Sequence, residues 1–385
     1  MSTAVIGKAF ANTRAPFVSS ANASILYVGT YTGHGSKGIY GFRFTATNGD
    51  LQSLGLIAEV INPSALALVP STAQHGGGRR LLAVRETSKE ADGLGGAVLS
   101  YLIDQSSGSL ELVDQALSHG DGPCSISLDE SGRYVFVANF WSGSVAVLPL
   151  MANGRFGVSS AVVQNHGHSI HPQRQREPHP HAFRTTPNNH FAVVADLGTD
   201  KLSIYRFDSS TGHIAPASPA FFQTKAGSGP RHLAFSHDGR FLYVIHEIDC
   251  TVSVISVDES DGSLKLLQTV PTMDEGLNQP GDAAELLLHT NGRFLYASTR
   301  QTSTIRLFQI DGTSGKLTPV RDFSTAGQSP AVFSIDPSGR WLIAGNQNSN
   351  DLALFPIEYS TGILGKLHSS ISVNTPSSLV FVPAS

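Results

Sequence analysis

The sequence predicts an all-β fold, a seven-bladed β-propeller of four-stranded antiparallel blades. One blade, shared between the N- and C-terminal strands, closes the ring. A glycine-turn pattern recurs seven times, each repeat carries short runs of alternating apolar residues, and no window shows a sustained helical period. The 38 Gly and 20 Pro, with only 15% of residues charged, fit many turns and few solvated helix faces.

The repeat is counted by a turn glycine with an apolar residue two positions later. Its seven copies read NGDL, SGSL, NGRF, TGHI, DGSL, SGKL and TGIL, and their glycines are Gly49, Gly108, Gly154, Gly212, Gly262, Gly315 and Gly362. A nearly regular step of about 50 residues is typical of closed arrays and solenoids. The glycines therefore predict seven units.

Each repeat contains four predicted strands. The first starts at a proline, as in PCSISL at 123–128, and the second follows a tight turn, as in GRYVFVAN at 132–139. A third alternating run follows, as in SGSVAVLPL at 142–150, and the fourth begins at the glycine pattern. Such runs, rich in β-branched and aromatic residues and broken by Gly, Asn, Asp and Ser, are typical of short antiparallel strands.

The chain ends favour a ring over a solenoid. The N-terminal part supplies a second, third and fourth strand from Ile25, and the C-terminal part supplies only a first strand, Pro376 to Val382. The two fragments complete one blade if the ends meet, whereas a solenoid would need a cap at each end. We therefore predict a single propeller domain over 25–385 and a mobile N-terminal arm over 1–24.

Charge and composition limit the classes of function. The 26 basic and 30 acidic residues give a net charge of −4, without the basic excess that nucleic acid or anionic membranes attract. Two cysteines, Cys124 and Cys250, are too few for a disulfide framework or a structural zinc site. We expect no nucleic-acid or membrane partner, and a cytoplasmic monomer or weak homo-oligomer, with a secreted form as the alternative.

The residues at one mouth of the channel are the candidate functional residues. The first strand of an antiparallel blade starts where the second ends, so residues after the motif proline and at the end of the second strand should surround this mouth. Among them His181, Arg231, Glu247 and Arg300 stand out from the mostly neutral polar residues of the other repeats. Further polar positions are substrate-binding candidates: Glu86, Asn139, His179, Asp196, His232, His246 and Gln347.

An imidazole, a carboxylate and two guanidinium groups around a concave mouth suit proton transfer on an anionic substrate. Arginine binds carboxylate or phosphate through two hydrogen bonds, and His and Glu can move protons. A glutamate between arginines should have a lowered pKa. The alternative interpretation is an ion-pair network that only ties the blades together.

Other chemistry has weaker support in the sequence. The segment at 166–181 contains five histidines, but their spacing matches no compact ligand pair, so we predict loop histidines and neither a metal nor a cofactor. Cys124 follows a motif proline and could be a nucleophile, although a small buried residue is the favoured interpretation. The chain contains no GxSxG motif, no phosphate-binding loop and no dinucleotide fingerprint that leads from a strand into a helix.

Taken together, the motifs resemble the lactonase-type seven-bladed propeller family, which includes bacterial 6-phosphogluconolactonases and fungal carboxy-muconate lactonizing enzymes. The resemblance runs from about Ile25 to Val382 and rests on GTYT, NPSALAL, GDGPC, SGRYVFVANF, EPHPHAF, GSGPRHLAF, GRFLYVIHEID and NGRFLYASTR. It implies a lactone hydrolase acting on a small anionic lactone or carboxylate without an essential metal. It also implies that His181, Arg231, Glu247 and Arg300 are the catalytic residues.

Some positions depart from the family pattern. Ser125 and Leu287 stand where relatives commonly have His, and Ala331 stands where they commonly have Arg. His246 and Thr299 are further departures. One side of the mouth has thus lost charge, which leaves open the phosphosugar specificity. A lactonizing cycloisomerase and a non-catalytic propeller that binds a ligand or protein are the alternatives.

Overall fold

A computed structural model describes residues 23–70, 78–274 and 282–383. Its strands form seven four-stranded antiparallel sheets, which confirms the predicted propeller. Within these ranges the single helix is α1 (Lys89–Asp92), a four-residue turn between two strands of one blade. No helix of the described chain is long and apolar enough to cross a bilayer.

The blades follow the chain in order. The first blade contains β1 (Ala23–Thr30), β2 (Gly38–Thr45) and β3 (Asp50–Glu59). The second contains β4 (Leu66–Leu68), β5 (Arg80–Arg85), β6 (Ala97–Ile103) and β7 (Leu110–Leu117). The third contains β8 (Pro123–Leu128), β9 (Tyr134–Asn139), β10 (Ser144–Pro149) and β11 (Ala161–Gln164). The fourth contains β12 (Pro180–Thr185), β13 (Phe191–Asp196), β14 (Lys201–Asp208) and β15 (His213–Gln223).

The remaining blades complete the ring. The fifth contains β16 (Pro230–Phe235), β17 (Phe241–His246), β18 (Thr251–Val257) and β19 (Leu264–Pro271). The sixth contains β20 (Ala283–Leu288), β21 (Phe294–Thr299), β22 (Thr304–Ile310) and β23 (Leu317–Ser324). The seventh contains β24 (Pro330–Ile335), β25 (Trp341–Asn346), β26 (Asp351–Pro356) and β27 (Ser369–Ser372). The last strand, β28 (Pro376–Pro383), joins the first blade.

The predicted closure by the chain ends is confirmed. β28 pairs antiparallel with β1, with Ile25 opposite Val382 and Leu26 opposite Phe381. β1 begins at Ala23, so the last two residues of the predicted arm belong to a strand, and residues 1–22 lie outside the described residues. The sheet that joins the two termini completes the first blade and closes the ring, so no separate cap is needed.

The proline-led strands line the axis. Neighbouring members of the set β28, β4, β8, β12, β16, β20 and β24 contact one another in a complete circle. The apolar core lies between adjacent blades, where side chains of successive sheets interdigitate. Phe136 of the third blade meets Phe183 and Phe207 of the fourth edge-on, with ring centroids 4.9 and 5.1 Å apart.

The repeat glycines have a packing reason as well as a turn reason. Gly49 has φ 71°, and a Cβ on it would lie 2.4 Å from the Trp341 ring of the neighbouring blade. Gly262, with φ 81°, approaches Phe191 in the same way, and a Cβ there would lie 2.6 Å from the ring. Only glycine combines this backbone conformation with so close a contact. The seven glycines of the repeat pattern correspond in number to the seven blades.

In two blades the fourth strand begins later in the chain than predicted. In the third and seventh blades the glycine pattern forms only an isolated bridge, Leu150 to Phe156 and Ile357 to Leu364. The fourth strand of these blades starts several residues later and has four residues. The cause lies in the third strands, which end at prolines in both blades. Proline has no N–H to continue the ladder.

Candidate active site

One end of the central channel opens into a cavity of about 520 Å³. It lies where the first strands begin and the second strands end, as the sequence predicted. Seven of the predicted site residues line it: Glu86, His181, Arg231, His232, Glu247, Arg300 and Gln347. The concave, mostly polar wall has the form of a small-molecule site.

In β12 and β16 a β-bulge presents the residue after the motif proline to this cavity. Pro180 pairs with Asp196 and Ala182 pairs with Ala195, so His181 is an extra residue in β12. The same shift in β16 leaves Arg231 between two paired positions. Bulges turn a side chain away from the regular alternation of a strand. The proline motif therefore places a functional side chain at the cavity in each of these two blades.

Glu247 lies at the centre of the charged wall. It is 2% exposed, and its Oε2 lies 2.9 Å from Nε of Arg231 and 3.2 Å from Nη2 of Arg300. Its Oε1 lies 2.5 Å from Nη2 of Arg174. Burial alone would raise the pKa of Glu247, but the three arginines outweigh burial and hold the pKa below its usual value. Glu247 is therefore a carboxylate at neutral pH.

The two central arginines are held in place by further contacts. Arg231 is 8% exposed, and its Nη1 donates to the carbonyl oxygen of Ala284. Arg300 forms a second ion pair with Asp282. Each guanidinium is thus fixed by at least two groups, and the cluster spans the fifth and sixth blades. Such preoriented cations can stabilise negative charge without rearrangement.

His232 connects this cluster to a second carboxylate. Its Nδ1 lies 2.7 Å from Oε1 of Glu285, and its Nε2 lies 3.4 Å from Nη1 of Arg231. A carboxylate only accepts and a guanidinium only donates, so both contacts suit neutral His232 with the proton on Nδ1. Burial and Arg231 lower the pKa of His232, and Glu285 opposes this only in part.

His181 differs from His232 because it has no polar partner of this kind. It is 9% exposed, lies edge-on to Phe140 and His232, and its buried Nδ1 has no hydrogen-bond partner among the described residues. Burial, with nearby Arg231 and His232, places the pKa of His181 well below its usual value. The imidazole is therefore neutral at pH 7 and able to accept a proton.

The opposite wall of the cavity carries much less charge. Glu86, directly after β5, is 6% exposed, and its Oε2 accepts a hydrogen bond of 3.1 Å from the Tyr31 hydroxyl. Mainly because of burial, the pKa of Glu86 is raised. The neighbouring wall is neutral, and its residues include Ser64, Ala65, Leu66, Ala331, Val332, Ser377 and Leu379. The family departures Ser125, Leu287 and Ala331 all line this cavity.

The structure does not bring Asn139 and His246 to the cavity. Asn139 is fully buried and its Nδ2 donates to the carbonyl oxygen of Ser118 at 2.9 Å. His246 is 1% exposed and its Nε2 lies 2.8 Å from Oγ of Ser253. His246 thus braces the end of β17 against its own blade, and Asn139 ties the end of β9 to the loop after β7 of the second blade.

Asp196 and His179 also lie outside the cavity lining. The Asp196 carboxylate accepts from the backbone N–H groups of His179 and Gly198 at 2.8 and 3.0 Å, which fixes the loop before β12. The His179 ring stacks on Phe140 with centroids 4.4 Å apart. These two residues therefore support the residues of the cavity wall from behind.

Sequence reasoning missed Arg174, Tyr31, Arg184 and Glu285, all of which line the cavity. Arg174 belongs to the histidine-rich segment at 166–181. Among the described residues, no group of three or more His, Cys, Asp or Glu side chains is arranged to hold a metal ion. The repeat contained a signal for Glu285, because it lies in a proline-displaced first strand, where an ionisable residue is unusual.

Cys124 lines the cavity as a thiol. Its Sγ lies 3.8 Å from the carbonyl oxygen of Pro180 and 3.9 Å from that of His181. Burial raises the pKa of the Cys124 thiol, and Glu86 adds to this. A thiol with a raised pKa is a poor nucleophile, so Cys124 is a packing residue of the wall.

Residues 25–381 match the family described as lactonase, 7-bladed beta-propeller, and the chain belongs to this family. The resemblance predicted from the motifs is thereby confirmed. Membership makes the protein a lactonase, a hydrolase of carboxylic esters.

The relatives cover nearly the whole chain. A 6-phosphogluconolactonase of Bacillus subtilis strain 168 is 31% identical over 356 residues, which are 92% of this chain and 97% of that protein. A 6-phosphogluconolactonase of Formosa agariphila is 29% identical over 358 residues, 92% and 98% of the two chains. The solved periplasmic gluconolactonase of Pseudomonas aeruginosa is 35% identical, with a TM-score of 0.88 over 94% of this chain and 100% of that chain.

Proposed function

We propose that this protein hydrolyses a sugar or organic-acid lactone in the cavity at the channel mouth. The observation that carries the proposal is the placement of neutral His181 beside the cluster of Arg231, Glu247 and Arg300 on one wall. A base and a set of fixed cations at one cavity are what acyl transfer to water requires.

In the first step His181 accepts a proton from a water molecule as the water oxygen bonds to the lactone carbonyl carbon. The carbonyl oxygen becomes an oxyanion, and the guanidinium groups of Arg231 and Arg300 stabilise it. In the second step the bond from carbon to the ring oxygen breaks, an acidic group of the cavity gives a proton to the alkoxide, and protonated His181 releases its proton to solvent. The product is a hydroxy acid, whose carboxylic proton leaves as a carboxylate forms.

Glu247 has a positioning role in this scheme. The surrounding arginines outweigh the effect of burial and hold the pKa of Glu247 low. Glu247 therefore stays ionised and does not carry the proton. Three ion pairs instead fix the direction of the guanidinium groups. Because the cations are already oriented before substrate binds, little reorganisation opposes formation of the oxyanion.

Cavity charge favours an uncharged or singly charged lactone. Its ionisable groups, apart from histidines, tyrosine and cysteine, are four arginines and four carboxyl residues: Arg174, Arg184, Arg231, Arg300, Glu86, Glu247, Asp282 and Glu285. The three arginines beside Glu247 are ion-paired, and Arg184 forms no ion pair with a described residue. A phosphate dianion would have to compete with Glu247 for three of the four arginines, whereas a neutral polyol needs no cation.

The test compares the opening of δ-gluconolactone with that of 6-phosphogluconolactone, after subtraction of spontaneous hydrolysis. We expect catalysis by the wild type with the larger kcat/KM on the unphosphorylated lactone, and about a hundredfold loss in Arg300→Ala. Arg240→Ala is the matched control, because Arg240 is exposed, pairs with Asp238 and lies at the other end of its blade. Equal rates in wild type and Arg300→Ala would contradict the proposal and favour a ligand-binding propeller.

Two further proposals concern cellular location and assembly. We propose a cytoplasmic protein that is a monomer or a weak homo-oligomer, with small-molecule lactones as its partners. The periplasmic relative keeps a secreted form as the alternative. Cell fractionation and analytical ultracentrifugation test these two expectations directly.

A further inference from the structure

We propose that Glu86 is the group that protonates the alkoxide when the lactone ring opens. The inference rests on the proposed function, in which His181 removes a proton from water and an acidic group, not yet assigned, supplies one to the leaving oxygen. A sugar alkoxide is a poor leaving group in water, so a proton donor at the ring oxygen contributes directly to the rate.

The partners of Glu86 differ from those of the other three carboxyl groups of the cavity, since Asp282 pairs with Arg300 and Glu285 contacts His232. Glu247 lies within ion-pair distance of three arginines. Glu86 is as deeply buried but accepts from a neutral phenol, Tyr31, and forms no ion pair with a described residue. An isolated buried carboxylate is unfavourable, because nothing replaces the water that solvated its charge. Glu86 is thus the carboxyl of the cavity that is best suited to hold a proton.

Two hydrogen bonds between Asn62 and the backbone of Glu86 hold Glu86 at the cavity. Its backbone N–H donates to the carbonyl oxygen of Asn62 at 3.1 Å, and its carbonyl oxygen accepts from Nδ2 of Asn62 at 3.2 Å. The Tyr31 hydroxyl donates to one carboxyl oxygen, Oε2. The Ser64 hydroxyl also lies beside this carboxyl group, and Oε1 is the oxygen that the Tyr31 contact leaves for a proton.

The charged and titratable groups that face Glu86 are few. Tyr31 comes from the end of β1, Cys124 from β8 and Arg231 from β16. Tyr31 and Cys124 both have raised pKa values and are neutral at pH 7. Arg231 favours the carboxylate, and so does the nearby Ser64 hydroxyl, but burial outweighs them and the pKa of Glu86 is raised.

The proton balance closes with this assignment. His181 receives one proton from water, and Glu86 gives its proton to the ring oxygen as the carbon–oxygen bond breaks. The new carboxylic acid then returns a proton to Glu86, and protonated His181 releases its own proton to solvent. The sum is lactone and water converted to hydroxy carboxylate and one proton, with both side chains restored.

The experiment measures kcat and KM for δ-gluconolactone against pH in wild type, Glu86→Gln and Glu86→Asp. In the wild type kcat should fall as pH rises through the pKa of Glu86, because only the protonated form donates. Glu86→Gln should lower kcat about a hundredfold with little change in KM and should abolish this fall. Glu86→Asp keeps a carboxyl and should recover part of kcat. Glu59→Gln, at an exposed residue on an outer strand, is the control.

The outcomes separate the two proposals. A wild type without lactonase activity would overturn the proposed function. An active wild type, together with a Glu86→Gln protein whose kcat and alkaline fall are unchanged, would overturn only the inference about Glu86. Gln has the shape of a protonated Glu, so a folding defect is not expected, and the thermal unfolding midpoint checks this. If Glu86→Gln nevertheless fails to fold, Glu86→Asp and Tyr31→Phe decide, since an alkaline fall of kcat that neither variant displaces contradicts the assignment.

Discussion

The two walls of the cavity shift the pKa of a buried glutamate in opposite directions. On the wall built by the fourth, fifth and sixth blades, Glu247 is surrounded by arginines and its pKa is held low despite burial. On the wall of the first and second blades, Glu86 has a phenol as its partner and burial raises its pKa. Two deeply buried glutamates therefore have pKa values shifted in opposite directions, because the neighbouring charges decide whether burial or ion pairing prevails.

This contrast suggests a division of labour across the cavity. Groups whose environments push their pKa values apart are common where an enzyme needs an acid and a base together. The charged wall stabilises the oxyanion and holds the neutral base, and the weakly charged wall supplies a proton and accommodates the neutral part of the lactone. Five substitutions test or sharpen this comparison.

The largest effect is expected for His181→Gln on the charged wall. Gln keeps hydrogen-bonding capacity but cannot act as a base, so kcat/KM for the lactone should fall about a thousandfold. The low-pH fall of kcat, which occurs as His181 becomes protonated below its lowered pKa, should disappear. Steady-state kinetics over a pH series measures both. A variant with wild-type activity would place the base elsewhere.

Arg231→Met should cost somewhat less, about a hundredfold to a thousandfold in kcat. The change removes one oxyanion donor and leaves the Ala284 carbonyl and Glu247 with fewer partners. The fold should persist, because Arg300 and Arg174 still neutralise Glu247. Arg240→Met is the matched control, and circular dichroism monitors folding. A loss confined to stability, with kcat intact, would support the interpretation of the cluster as a tie between blades.

Arg174→Met should have a smaller effect, about tenfold in kcat/KM. Its side chain is 43% exposed, so solvent screens part of its ion pair with Glu247. The loss should be distributed between kcat and KM, because Arg174 also lines the cavity. Kinetics with δ-gluconolactone tests this. An effect as large as that of Arg231→Met would mean that Arg174 contacts the reacting atoms.

The smallest effects concern stability, and they should have opposite signs on the two walls. The stabilising contribution of Glu247 is present above its usual pKa of 4.5 and is lost as pH falls through its lowered value. The contribution of Glu86 is present below 4.5 and is lost as pH rises through its raised value. Each proton contributes at most about 1.4 kcal/mol per pH unit.

Urea unfolding across pH tests this pair. Relative to wild type, Glu247→Gln should be most destabilised above its usual pKa, with the difference shrinking in acid. Glu86→Gln should gain stability relative to wild type as pH rises from that value, because Gln carries no charge to bury. Parallel curves for the two variants would show that the two walls do not differ as described.

Much of the site's position could be predicted from the sequence. The proline motif marks a bulge at the start of β12 and β16, so the motif alone was enough to assign His181 and Arg231 to the channel mouth. Glu247 and Arg300 followed from the register of the second strand. Asn139 and His246 occupy equivalent rim positions, yet Asn139 bonds to the loop after β7 and His246 bonds to its own blade. The repeat predicts where a residue lies along a strand but not which groups it meets.

The sequence by itself determined the number of blades, the closure of the ring and the axial position of the proline-led strands, because these follow from a local pattern repeated seven times. Only the tertiary structure decided that Arg174 reaches Glu247 and that Glu86 meets Tyr31. The protonation of each carboxyl depends on neighbours that are distant in the chain and on the water excluded around it. Those quantities arise only when the ring has closed.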